Sequence, residues 1–239
     1  MSTPRAATVV MQAWAWGGGA LFVTALAVYA RFFLILATPA SGGGSVAVAI
    51  GGNIALFTLF AAHHSLMART GAKAWLMRHV PPSLERSVYV WVASVLLIAV
   101  CVLWTRVPGL VYELAPPASW LGYAVQGAGM IVTMAGARVL DALELAGIRQ
   151  TGQPAPDVPA EIRVVWPFTM VRHPIYLGWA LIAFGAPTMT LDRLVWAVVS
   201  TFYLVIAMPW EERSLSAAAG PAYSAYQRRV RWRMVPWVY

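Results

Sequence analysis

The chain has 239 residues, 60% of them hydrophobic and only 11% charged. An ordinary soluble domain carries about a quarter charged residues, so this composition excludes a chain that covers a water-facing surface and points to a bilayer. A net charge of +8 does not signal nucleic acid here, because the basic residues lie between apolar stretches and not on one continuous polar face.

A helical span needs about 20 apolar residues, and Trp14–Ala37 supplies the first. It follows Arg5 without the short apolar core and small-residue cleavage pattern of a signal peptide, so it is expected to be retained. Ser41-Gly42-Gly43-Gly44-Ser45 is an uncharged, flexible connector to the second span, Val46–Met67. The next connection, Ala68–Arg86, sets Arg69, Lys73, Arg78, Glu85 and Arg86 around Trp75 and Leu76, the pattern of a short helix lying in the interface. Pro81-Pro82 ends it, and Ser83, Glu85 and Arg86 open the third span, Val88–Trp104. The lone Cys101 within that span excludes an internal disulfide and reads as a packing residue; no cluster of metal ligands is expected.

The fourth span is Trp120–Val139. Asp141–Val171 is then the longest polar piece, with Asp141-x-x-Glu144 ending at Gly147, and with Pro154, Pro156 and Pro159 barring regular structure until about Glu161. After Pro174 come two shorter legs, Ile175–Met189 and Leu194–Met208, turning at Pro187–Arg193 and suited to a hairpin that spans with tilt or dips in and returns. The expected fold is all-α, a multi-pass helical membrane protein of five or six segments, forming one integral membrane domain over residues 1–239.

Basic residues fall in alternate connections: Arg5; Arg69, Lys73, Arg78 and Arg86; Arg138, Arg149, Arg163 and Arg172; and Arg213 with the run Arg228, Arg229, Arg231 and Arg233. Arg106 and Arg193 fall on the other side and Arg31 within the first span. Positive charge marks the cytoplasmic face, so both termini are expected there.

The residues able to do chemistry gather at the final hairpin. Pro174 suits the first position of a helix, where its missing N–H costs nothing, and this holds Arg172 and His173 at the hairpin mouth. Tyr176 can place its hydroxyl near the interface, and Gly178 lets a backbone or a ligand approach. Glu211 and Glu212 end the apolar run of the returning leg, so the two clusters should meet. A salt bridge pinning the hairpin would need one carboxylate; a second is free to accept from a cationic or polyhydroxylated ligand. Upstream, adjacent His63 and His64 point to different sides of a helix, which argues against joint metal binding, and His79 reads as an interfacial residue. Asp141 and Glu144 share a helix face, and a solvated turn and a contact to a substrate are both open for them. Trp232 and Trp237 read as an interfacial belt.

Arg172-His173-Pro174-x-Tyr176-x-Gly178, Glu211-Glu212-x-x-Leu215 and Gly220-x-x-Tyr223-x-x-Tyr226-x-x-x-Val230 together resemble the C-terminal signature of the isoprenylcysteine carboxyl methyltransferase superfamily. Trp166 departs from it, standing near where many members carry glycine. The resemblance implies S-adenosylmethionine (SAM) as methyl donor, residues 140–239 as its binding portion, and Tyr223 and Tyr226 as further cofactor contacts. His64-Ser65-Leu66-Met67-Ala68-Arg69, Glu85-Arg86-Ser87-x-Tyr89 and Asp141-x-x-Glu144-Leu145-x-Gly147-Ile148-Arg149 resemble the bacterial methanethiol S-methyltransferases, and the first of these also resembles NnrU-like membrane proteins. This second resemblance implies a small thiol as acceptor, methanethiol giving dimethyl sulfide and hydrogen sulfide as a further substrate, and a place in the inner (cytoplasmic) membrane. Asp141, Glu144 and Arg149 would then face the acceptor. His64, Arg69, Glu85 and Arg86 become candidates for catalysis, as a base or as cations that favour the thiolate, the nucleophilic form of a thiol. Carboxyl methylation of a lipidated cysteine or of another lipid-like acceptor, and a non-catalytic scaffold, are the rival readings.

Overall fold

The computed structural model describes residues 3–42, 44–67, 69–140, 143, 146–151 and 164–239. Among them the helices are α1 (Thr3–Ile35), α2 (Val46–Met67), α3 (Thr70–Leu76), α4 (Glu85–Leu103), α5 (Ala118–Val139), α6 (Pro174–Phe184), α7 (Leu191–Ala219) and α8 (Pro221–Arg229). Two short strands, β1 (Leu110–Glu113) and β2 (Thr188–Thr190), complete the regular structure. Four helical stretches are long and apolar enough to cross a membrane: Thr8–Ile35, Val46–Met67, Pro82–Leu103 and Leu191–Ala219. The expected fourth span, α5, equals α2 in length but is not among these four, and α6 is a shorter apolar helix. The chain is a multi-pass helical membrane protein, and it divides into two compact units.

The first unit comprises residues up to Phe33, Ala55–Trp104 and Leu140–Asp157. Within it α1 meets α4 where Gly17 and Gly18 leave room for the Trp91 indole, whose Nε1 donates to the Trp14 carbonyl at 3.0 Å. A 3₁₀ turn, Pro82–Leu84, leads into α4, whose N-cap is Leu84 and not Ser83. Gly147 has φ +72°, and a Cβ there would lie 2.7 Å from the Ser87 backbone nitrogen, so only glycine makes this turn against α4. A short helix, α3, lies within the Ala68–Arg86 connection, where one was expected.

The second unit comprises Leu34–Ile54, Thr105–Val139 and Val158–Tyr239. Its spine is the packing of α5 on α6. Gly122, Gly129 and Gly136 recur every seven residues on α5 and form one stripe. A Cβ at Gly129 would sit 2.7 Å from the Gly178 carbonyl oxygen, and one at Gly178 would sit 2.6 Å from that of Gly129, so the two backbones touch. Dispersion between close backbones takes the place of the hydrophobic drive that lipid cannot supply.

The final hairpin differs from its expected form at both ends of the returning leg. Within the expected turn at Pro187–Arg193, β2 pairs antiparallel with β1, a strand the sequence did not suggest, in the register Leu110↔Thr190, Tyr112↔Met189 and Glu113↔Thr188. The Thr190 hydroxyl accepts the Arg193 N–H at 3.1 Å and starts α7 at Leu191. Asp192, fully buried, accepts Arg106 Nε at 2.5 Å and the Val107 N–H at 2.8 Å, while Asn53 bonds both backbone groups of Thr105. At its other end α7 does not stop near Met208; it runs through Pro209 to Ala219. Proline removes one backbone bond, and the helix formers that follow it (Glu, Arg, Leu and Ala) carry the helix on.

Candidate functional site

All the groups that converge on Glu212 belong to the second unit. His173 is the N-cap residue of α6 and Pro174 its first residue, as the sequence suggested. Glu211 and Glu212 follow Pro209 on α7, and α8 returns the chain so that residues 230–233 run beside Arg172 and His173. The Arg172 N–H donates to the Trp232 carbonyl at 2.9 Å and the His173 N–H to that of Arg233 at 2.7 Å. Arg172 Nη1 donates to the carbonyls of Val230 and Arg231 at 2.8 and 2.7 Å. The expected meeting of the two hairpin mouths therefore occurs, with the tail as a third wall.

Glu212 is the hub. Its Oε1 accepts Arg172 Nε at 2.6 Å and lies 3.3 Å from His173 Nε2; its Oε2 accepts Arg233 Nε at 3.1 Å and Gln227 Nε2 at 3.5 Å. The carboxylate is buried, and burial of a charge is tolerable because it is so fully paired. Glu211 is different. Its side chain is 45% exposed, Oε2 accepts the Tyr176 hydroxyl at 2.8 Å, and Oε1 makes no hydrogen bond among the described residues. Arg172 Nη2 likewise makes none among them. A depression of about 330 Å³, lined by Pro209, Glu212, Arg213, Ser216, Gln227 and Arg233, opens beside the hub.

The His173 ring is stacked on Tyr176, with centroids 5.2 Å apart. Burial pushes its imidazole below the ordinary value of 6.5, against the upward pull of Glu211 and Glu212. A neutral ring has one N–H, and the shorter approach assigns it to Nε2 facing Glu212. The Nδ1 lone pair then faces Glu211 Oε2, 3.6 Å away, beyond a hydrogen bond.

Gly178 and the tail tyrosines have structural partners. Gly178 admits the α5 backbone. Tyr223 and Tyr226 are buried with Val230, and the Tyr226 hydroxyl donates to the Phe168 carbonyl at 2.9 Å. Burial pushes both phenols up, Tyr226 to about 12, so both stay protonated at neutral pH.

The upstream candidates lie in the first unit. His64 Nδ1 and the Tyr89 hydroxyl are 2.5 Å apart, and the Arg86 guanidinium lies over the Tyr89 ring, 4.9 Å from its centre. Glu85 pairs loosely with Lys73 at 3.9 Å. Arg69 is exposed at the N-cap of α3, and Arg149 is exposed in a 3₁₀ turn, Arg149–Thr151. Asp141 and Glu144 lie outside the described residues, as do Pro154, Pro156 and Pro159.

Sequence reasoning missed Arg233, Gln227 and Tyr239. The tail arginines served the orientation argument equally well as a group, and no spacing rule separates Arg233 from its neighbours. The one available signal is that two carboxylates at the hairpin mouth exceed the charge of Arg172 alone.

The chain is 35% identical to methanethiol S-methyltransferase of Mycobacterium tuberculosis over 198 residues, 77% of each chain. It is 33% identical to methanethiol S-methyltransferase 2 of Bradyrhizobium diazoefficiens, covering 74% of this chain and 70% of that one. It is also 30% identical to nurim of Sus scrofa, covering 72% and 70%. No protein-family model matches the chain, and no solved structure does.

Proposed function

The chain belongs to the methanethiol S-methyltransferase family, and on that premise we propose that it transfers a methyl group from SAM to the sulfur of a small thiol, methanethiol giving dimethyl sulfide. Hydrogen sulfide is a second acceptor of the same chemistry. The observation that carries this reading is the pairing of two carboxylates with unequal commitments, one saturated and one open, in a chain whose relatives bear that name.

The donor set fits a zwitterionic sulfonium compound. SAM supplies an activated methyl on a positively charged sulfur, together with an ammonium and a carboxylate. Glu211 would take a cationic group through its open Oε1, and Arg172 would offer Nη2 to an anionic or hydroxyl group. Glu212 and His173 keep Arg172 in place, and Pro174, Tyr176 and Gly178 fix the start of α6 from which these side chains project. Tyr223 and Tyr226 serve by packing α8 beneath the hub. Donor binding is thus assigned within residues 140–239. Methyl transfer to sulfur is an in-line displacement: the acceptor sulfur bonds the methyl carbon as the carbon's bond to the sulfonium breaks, and the donor's sulfur keeps that electron pair. The thiol proton leaves to a base, so the protein's work is positioning and exclusion of water.

We assign the acceptor side to His64, Arg69, Glu85 and Arg86, with Asp141, Glu144 and Arg149, on the resemblance of those segments and on the grouping of Arg86, Tyr89 and His64. The membrane is the inner one, with both termini cytoplasmic. Incubating the purified, detergent-solubilised chain with methyl-labelled SAM and methanethiol should yield labelled dimethyl sulfide. Label passing to a prenylated cysteine and not to methanethiol, or to neither, would overturn this assignment.

A further inference from the structure

Resting on the donor site just described, the geometry points to Arg233 as a positioning residue of that site, acting through Glu212 and backed by Tyr239. Arg233 meets the site twice. Its carbonyl accepts the His173 N–H at 2.7 Å, and its Nε donates to Glu212 Oε2 at 3.1 Å. Its Nη1 donates to the Tyr239 hydroxyl at 2.9 Å, with the guanidinium 5.3 Å from the centre of that ring. Tyr239 is itself fixed: its N–H donates to the Val235 carbonyl, and its own carbonyl accepts from Met234 and Val235 at 2.8 and 3.0 Å. The segment 233–239 is therefore a closed turn that presses one guanidinium against the hub.

The function of that contact follows from the two oxygens of Glu212. Oε1 orients Arg172 and His173, which the donor would meet, while Oε2 has one charged partner, Arg233, with Gln227 at the limit of hydrogen bonding. Without Arg233 the carboxylate is free to turn about its terminal bond, and Oε1 loses its hold on Arg172. Lysine would restore the charge but not the planar fork that reaches Glu212 and Tyr239 together.

Charge gives a second consequence. The groups facing His173 are Glu211, Glu212, Arg172, the stacked Tyr176 and, through Glu212, Arg233 and Tyr223. Two carboxylates are balanced by two guanidiniums. Removing Arg233 leaves the cluster net negative, so His173 holds its proton to higher pH.

The test is calorimetric SAM affinity of the full chain in detergent, measured from about pH 5.5 to 8 to bracket histidine titration. Arg233→Gln should lose about tenfold or more in affinity, with partial recovery in Arg233→Lys. The acid limb of binding should move to higher pH in Arg233→Gln, a change that a merely structural role would not produce. Tyr239→Phe, which deletes one neutral hydrogen bond, should lose about twofold to tenfold. Arg228→Gln, on the exposed face of α8, should stay within about twofold. Wild-type affinity and an unmoved acid limb in Arg233→Gln, or an equal loss in Arg228→Gln, would overturn the proposal. If Arg233→Gln does not fold, Tyr239→Phe decides, and wild-type binding there overturns it. Wild-type protein that binds no SAM instead removes the donor site itself, an outcome separate from either.

Discussion

Glu211 and Glu212 are neighbours in sequence with opposite situations. Glu212 satisfies Arg172, His173, Gln227 and Arg233 from a buried position, whereas Glu211 keeps an oxygen open. Glu212→Gln breaks a buried ion pair and should cost about 3–5 kcal/mol of stability as well as donor affinity. Glu211→Gln should leave the unfolding temperature nearly unchanged and weaken SAM binding about tenfold to a hundredfold. Thermal unfolding and calorimetry on the two variants separate the roles; equal effects on both measures would refute the division. His173 adds a pH dependence. Its folded pKa lies below the ordinary 6.5, so its contribution to stability and binding is full above that value and is lost as pH falls through the depressed one. SAM affinity should be flat from about pH 8 to 6.5 and decline below, a profile that titration calorimetry reads directly.

At the scale of elements, α6 is placed by α5 before α7 contributes any chemistry. The stripe Gly122, Gly129 and Gly136 brings α5 into backbone contact with α6, and this fixes where His173 and Tyr176 emerge. A methyl group on Gly178 would lie 2.6 Å from the Gly129 carbonyl oxygen and closer still to Thr133 Oγ1, so the helices must separate to admit it. Gly178→Ala is expected to destabilise the second unit by about 1–3 kcal/mol and to lower methyl transfer. Unfolding in detergent would show it, and a variant as stable as wild type would contradict the close packing. The apolar runs of α6 and α7 were legible in the sequence. The extension of α7 past Pro209 was not, because a proline reads as a boundary when only local propensity is weighed.

On the scale of the whole molecule, the orientation proposal requires Ser41–Ser45 to lie outside and the donor site inside. Gly42 is exposed in that connector, so in spheroplasts a Gly42→Cys variant, with Cys101 replaced, should react with an impermeant thiol reagent. Labelling only after lysis would reverse the orientation. The sequence by itself determined the bilayer, the helical class, the approximate bounds of the long helices and the place of the Arg172-His173 and Glu211-Glu212 clusters, because apolar length and isolated charge in an apolar chain are local properties. It also carried the family, in motifs short enough to be read along the chain. Only the tertiary structure decided which carboxylate is committed and which is open, and that Gly178 serves helix packing. It also decided that Tyr223 and Tyr226 are core and that Arg233, sixty-one residues after Arg172, closes on the same oxygen pair. Each of these depends on distances between segments far apart in the chain, and such distances are set by backbone contact and burial that no local pattern encodes.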